Sequence, residues 1–175
     1  MKKKHKYENL IVYMNGFDEY IIAYLISQVV SIIILIAAWK RTRWARWLFA
    51  VLFLWASATN MYIGLTNPDS YLDNARFAIP LYQDFINGWF SHYNQLIIPL
   101  IAVGQLCIAI GMLLHGWWVK LACIGSIIFL LSIAPLMVGA AFPFSITVSI
   151  ASLLIFLYDD KNYVWKRQEK SLQTI

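Results

Sequence analysis

The stretch from Asn60 to Gln95, NMYIGLTNPDSYLDNARFAIPLYQDFINGWFSHYNQ, holds most of the residues that could do chemistry. Asp69, Asp73, Arg76 and Asp84 are the only charges between Arg46 and Lys120, and Tyr62, Tyr71, Tyr82, Trp89, Phe90, His92, Tyr93 and Asn94 set aromatics and amides among them. Asp69 and Asp73 are four apart, a spacing that puts two carboxylates on one helical face, where they could share a cation. No third ligand falls in register, so the spacing reads as a solvated face with Arg76 paired to Asp73. His92 and His115 stand alone near the ends of apolar runs, as surface imidazoles do, rather than as ligands or proton switches. No nucleophile stands beside a base at usable spacing, which disfavours an enzyme of the soluble type. The aromatics and amides could instead frame a quinone head or a lipid. The candidate pocket is Asn60, Tyr62, Tyr82, Trp89, His92 and Gln105. No metal site and no other cofactor is expected.

The composition says what must position these residues. Of 175 residues, 61% are hydrophobic and 13% charged, where an ordinary soluble domain carries about 25% charged residues. A soluble chain this short could not bury so much apolar side chain. The sequence therefore predicts one all-α domain, a polytopic membrane helix bundle with a four-helix core and one additional N-terminal span. The formal charge of +5 comes from Lys and Arg at the ends of apolar runs, where lipid headgroups would meet them, so no nucleic-acid partner is expected.

Five apolar runs, at about 20–39, 47–65, 96–114, 118–138 and 144–158, give the spans; a helix needs about 20 residues to cross the hydrocarbon core. Lys2, Lys3, Lys4 and Lys6 open the chain like a signal peptide, but the apolar run after them is too long for a typical h-region, and it reads as an anchor that stays. Lys40, Arg41, Arg43 and Arg46 form a basic turn flanked by Trp39, Trp44 and Trp47 as interfacial anchors. Residues 66–95 form an outer cap. Asn67-Pro68-Asp69 starts a helix by amide cap, first-turn proline and dipole-facing acid. Pro80 separates it from a second short amphipathic helix ending near Gly88, both lying at the interface. His115-Gly116-Trp117 is a tight turn, and 159–175 is a charged tail, helical at first. Counting Lys and Arg on each side favours the N-terminus outside and the C-terminus in the cytoplasm of a cell membrane.

Within the spans no Asp, Glu, Lys or Arg sits mid-run, which disfavours ion-coupled transport. Gly104, Cys107 and Gly111, then Gly125, Ser132 and Gly139, then Ser145, Ser149 and Ser152 form small-residue stripes of the kind that let membrane helices approach closely. Gln28 and Gln105 lie well inside the membrane and want a partner on another helix; the alternative for such an amide is a polar head such as a quinone carbonyl. Cys107 and Cys123 fall in apolar runs and read as buried, inert thiols rather than a redox pair.

From Arg43 to Tyr158 the chain resembles the DoxX-like family of small bacterial membrane proteins. The resemblance rests on Arg43 and Arg46 leading into a helix, a long extramembrane insertion, Gly104-Gln105-Leu106 with Gly111, Lys120-Leu121-Ala122 opening the next helix, and a Pro-rich turn into the last. It implies a four-helix bundle, with a supporting role beside quinone-linked redox enzymes in some members. Two features depart from the family: Gln105 stands where Glu is common, and the 20–39 span is additional. Gln105 cannot exchange a proton as a Glu would. The function expected is thus a non-catalytic subunit or scaffold of a membrane complex, partnered by the bilayer and by another membrane protein or a second copy. The alternatives are a quinone- or lipid-binding redox accessory and a small-molecule permease.

Overall fold

The computed structural model describes residues 21–22, 24–136, 142–160 and 162–165, and among these there is no strand. The apolar runs become helices because a backbone surrounded by hydrocarbon must satisfy its own hydrogen bonds. We label them α1 (Tyr24–Lys40), α2 (Thr42–Thr66), α3 (Pro80–Leu113), α4 (Trp117–Leu136) and α5 (Phe144–Tyr158). Three of them, α2, α3 and α4, are long and apolar enough to cross a membrane; α1 and α5 are shorter apolar helices. The expected start of the first span and end of the fourth, together with Gly139 and most of the tail, lie outside the described residues.

Two of the expected boundaries are corrected. α2 begins at Thr42, not Trp47, so Arg46 lies inside its first turns rather than in a loop. The second cap helix does not exist separately. Pro80 takes the first-turn position and the helix runs unbroken to Leu113, passing Gly88 through a short π-helical segment, Ile86–Phe90. Gly88 meets nothing that would force a turn, and a glycine inside a membrane helix need not end it. At 34 residues α3 is about 50 Å long, well beyond a hydrocarbon core of about 30 Å. Its first turns stay against the end of α4, where Ile79 N–H donates to Pro135 O and the Tyr82 hydroxyl to Ser132 O.

The cap keeps one helix of its own, a 3-10 helix at Pro68–Arg76. Pro68 and Asp69 sit in its first turn as expected, but Asn67 supplies its backbone carbonyl to Ser70, not its side-chain amide. Ala75 and Ala78 bury against Ile86, with Leu72, Tyr82, Phe90 and Leu136 around them, and Ile79 N–H donates to Pro135 O at 3.1 Å. The cap thus rests on the starts and ends of α3 and α4. Asp73 and Arg76 pair at 2.7 Å on its exposed side, as the spacing predicts.

The main core lies among all five helices. Phe49, Phe53, Met112, Val119, Cys123, Val148 and Ile155 are buried there, with Ile34 and Ala38 of α1. α2 and α3 are the most intimate pair. A Cβ on Gly64 would sit 2.9 Å from Ile98 Cγ2 and 3.0 Å from Pro99 Cδ, so only glycine permits that approach. The α3–α4 turn needs Gly116, whose φ of +59° is open to few other residues.

The opposite end from the cap is tied by Arg46, which is 1% exposed. Its guanidinium donates to Met112 O through Nε at 2.8 Å, to Leu114 O through Nη2, and through Nη1 to Asp159 Oδ1 and Asn162 O, both at 2.8 Å. The end of α3 and the segment after α5 are thereby fastened to α2. This corrects the reading of Arg46 as a headgroup-facing cation. It also corrects the tail, which leaves the helix at Asp159 in an extended conformation so that its carboxylate reaches Arg46. Next to it Arg43 approaches Asp160 at 3.9 Å. Burial alone would raise the Asp160 carboxyl, but hydrogen bonds from Asn162 and the charges of Arg43 and Arg46 outweigh it and hold the group below its ordinary range. Tyr163 packs on His115, ring centroids 4.2 Å apart, and Trp165 stacks on Tyr163 at 4.8 Å.

Candidate functional site

Two of the candidate residues come together. Asn60, three turns beyond the buried Phe49 on α2, donates from Nδ2 to Gln105 Oε1 on α3 at 2.7 Å. The Asn60 Oδ1 in turn accepts from the Tyr71 hydroxyl of the cap helix. Half-burial pushes the Tyr71 phenol above its ordinary pKa, so it stays protonated and can donate. The result is a polar relay, Tyr71 to Asn60 to Gln105, running from the cap into the apolar layer. Gln105 finds the partner on another helix that the sequence calls for; among the described residues the Gln28 amide donates to its neighbour Ser27 at 3.3 Å. Tyr71 was not among the candidates. Its position four residues after Asn67-Pro68 on the cap helix is the only signal, and reaching Asn60 depends on how the cap folds back.

The other four candidates lie apart from that pair. Tyr82 donates its hydroxyl to Ser132 O at 2.8 Å and joins α3 to α4 near the cap. Tyr62 and Trp89 are exposed on the flanks of α2 and α3. His92 is exposed, with Nδ1 donating 2.8 Å to Gly88 O of its own helix. Nearby, the buried Asn94 donates to Asp69 Oδ1 at 2.7 Å and holds the cap's first turn to α3, so Asp69 is engaged by an amide. Among the described residues no group of His, Cys, Asp and Glu could hold a metal ion.

Gln105 also lines a lateral groove of about 590 Å³ between α3 and α4, floored by Gly104, Cys107, Ile108, Gly125 and Phe129. The two helices touch tightly at the Arg46 end, where a Cβ on Gly111 would meet Ala122 Cβ at 2.8 Å. Gly104 is instead exposed, and a Cβ there would meet nothing within 4 Å. The small-residue stripes are thus only partly helix contacts. Cys107 is exposed on the groove rather than buried, while Cys123 is buried as expected. On the far side of α4, Ser126 and Ser152 share a hydrogen bond at 2.6 Å, which is the close helix packing expected of the serine stripe. Comparison with known proteins finds no matching family model, no matching curated protein and no matching solved structure.

Proposed function

We propose that this chain works by association, as a non-catalytic subunit or scaffold in a cell membrane. One observation carries the reading. On the first part of α3, Leu81, Phe85, Trp89 and Tyr93 recur every four residues on one face and are all exposed, Trp89 at 57%. Phe85 and Trp89 stack with ring centroids 5.7 Å apart, and Trp89 meets Tyr93 in a tilted contact at 5.3 Å, so the rings form a continuous ladder with little freedom to lose on binding. Aromatic side chains held in this way dominate interface energetics. Several buried polar groups join helices, as Arg46, Ser57, Ser126 and Ser152 do, which suits a rigid support. The reading includes a DoxX-like kinship, on the Gly104-Gln105-Leu106 run and the Arg43–Arg46 approach to α2.

The expected result is that the protein, extracted in mild detergent and exchanged into lipid nanodiscs, travels with a membrane partner or as an oligomer. Phe85→Ala with Trp89→Ala should dissociate it while its melting temperature stays close to that of the parent. A monodisperse monomer that reduces quinone would overturn the proposal.

The orientation in this reading places the cap outside and Arg46 on the cytoplasmic side, supported by Lys40, Arg41, Arg43, Arg46 and Lys120 gathering at one end. Single cysteines at Ser70 and Ser171, in a chain lacking Cys107 and Cys123, report it. An impermeant thiol reagent on intact cells should label Ser70→Cys alone. Labelling of Ser171→Cys alone reverses the topology.

A further inference from the structure

We propose that the Arg46 end of the bundle binds anionic phospholipid headgroups in preference to zwitterionic ones, through Lys40, Arg41 and Lys120. The aromatic ladder takes no part, so the inference does not depend on the scaffold reading.

The cations at this end are of two kinds. Arg46 is buried and bound to Asp159, and Arg43 approaches Asp160. Asp160 also accepts from the backbone and side-chain N–H groups of Asn162. Lys40 and Arg41 are exposed and Lys120 is half-buried, and among the described residues no carboxylate pairs with any of the three. Both described acids of this end are therefore taken, and these cations are left over. Residue type does not make this division, because Lys40, Arg41, Arg43 and Arg46 read alike in the sequence.

The three stand at headgroup depth. Arg46 donates to Leu114 O, which puts the start of α2 and the turn into α4 at the same end of the bundle. Arg41 precedes Arg46 by five residues, about 8 Å of helix rise, and Lys120 follows Gly116 by one helical turn. Trp39, Trp44 and Trp117 are exposed beside them, Trp39 at 81%. Indole rings favour the boundary between hydrocarbon and headgroups. The Lys120 ammonium lies over the Trp117 ring, 4.9 Å from its centroid, so its charge is kept in that layer.

Lys120 is also badly placed unless an anion meets it. It falls in the first turn of α4, where the helix dipole is positive and a cation is disfavoured. That turn holds no acid, and Gly116 supplies no side chain to cap it. An anionic group in the same layer offsets the dipole and the ammonium together. Each Lys or Arg near a membrane surface favours anionic lipid by about fivefold. A zwitterionic headgroup carries its own ammonium beside the phosphate, which cancels most of that attraction.

The test uses the full chain in nanodiscs of equal parts phosphatidylglycerol and phosphatidylcholine with matched acyl chains. Native mass spectrometry counts the lipids that stay on the released protein. Retained phosphatidylglycerol should exceed phosphatidylcholine by about fivefold. High salt before release should shrink the excess, because exposed charges are screened. Lys40→Gln, Arg41→Gln and Lys120→Gln combined should bring the ratio close to one, with the melting temperature little changed. Arg76→Gln, which removes a cation at the cap end, should leave the ratio as it is in the parent. Equal retention of the two lipids by the parent, an excess that survives in the triple variant, or an excess lost equally in Arg76→Gln would overturn the proposal. Loss of an associated protein from the triple variant, with its lipid excess intact, would assign the cations to an acidic partner instead.

Discussion

Arg46→Met is expected to destabilise the bundle by about 3–5 kcal/mol, the cost of breaking a buried ion pair by removing one partner. The guanidinium serves three segments at once: the carbonyls of Met112 and Leu114 at the end of α3, the Asp159 carboxylate after α5, and the Asn162 carbonyl beyond it. Methionine keeps the volume and leaves all of these acceptors without their donor. Asp159, whose side chain is 1% exposed, would lose its cationic partner. The double variant Arg46→Met with Asp159→Leu removes that carboxyl as well and should recover a large part of the loss, since well-packed apolar replacements of buried pairs are often tolerated. The measurement is thermal or SDS-induced unfolding in nanodiscs, followed by tryptophan fluorescence. A single variant within about 1 kcal/mol of the parent, in the range of exposed ion pairs, would mean that the pair is open to water.

The same residue shows where the sequence was readable and where it misled. Four basic residues at 40, 41, 43 and 46 look alike if each is taken as a cation near a headgroup. Only helical register separates them. Arg46 lies on the face that continues through Phe49, Ala50, Phe53 and Ser57, all buried, while Arg43 points to the half-exposed side. Its counter-charge is also legible in retrospect, because Asp159 is the first residue after the last apolar run. What periodicity could not give is that these two, 113 residues apart, meet.

The cap divides in the same way. Pro68, Asp69 and the Asp73–Arg76 pair follow from local rules and appear as expected. The continuity of α3 through Gly88 was missed because Asn87, His92, Asn94 and Gln95 have the composition of a loop. Asn94 is buried because it holds Asp69, a tertiary reason that no window of sequence contains. The candidate site was legible at Asn60 and Gln105, two amides too deep to stay unpaired. The aromatics around them carried no comparable constraint, since an interfacial Tyr or Trp is satisfied by lipid headgroups and water.

The two glycines of the α3 stripe should respond in opposite directions. Gly111→Val is expected to cost about 1–3 kcal/mol or more, as overpacking does. The new Cβ would lie 2.8 Å from Ala122 Cβ and 3.2 Å from the Trp118 carbonyl, neither of which can swing aside as a flexible side chain would. α3 and α4 would have to part at their tightest point. Gly104→Ala, about two helical turns away, adds its Cβ to open space and should instead stabilise by up to about 1 kcal/mol through helix propensity alone. Unfolding of both variants under the conditions used for Arg46 gives the comparison, and equal effects at the two positions would rule out a tight contact at Gly111 against open space at Gly104. Gly111 is next to Met112, whose carbonyl Arg46 holds, so the two perturbations share a neighbourhood. Combining Gly111→Val with Arg46→Met should cost less than the sum of the two, because whichever change comes first already loosens the end of α3 on which the other acts.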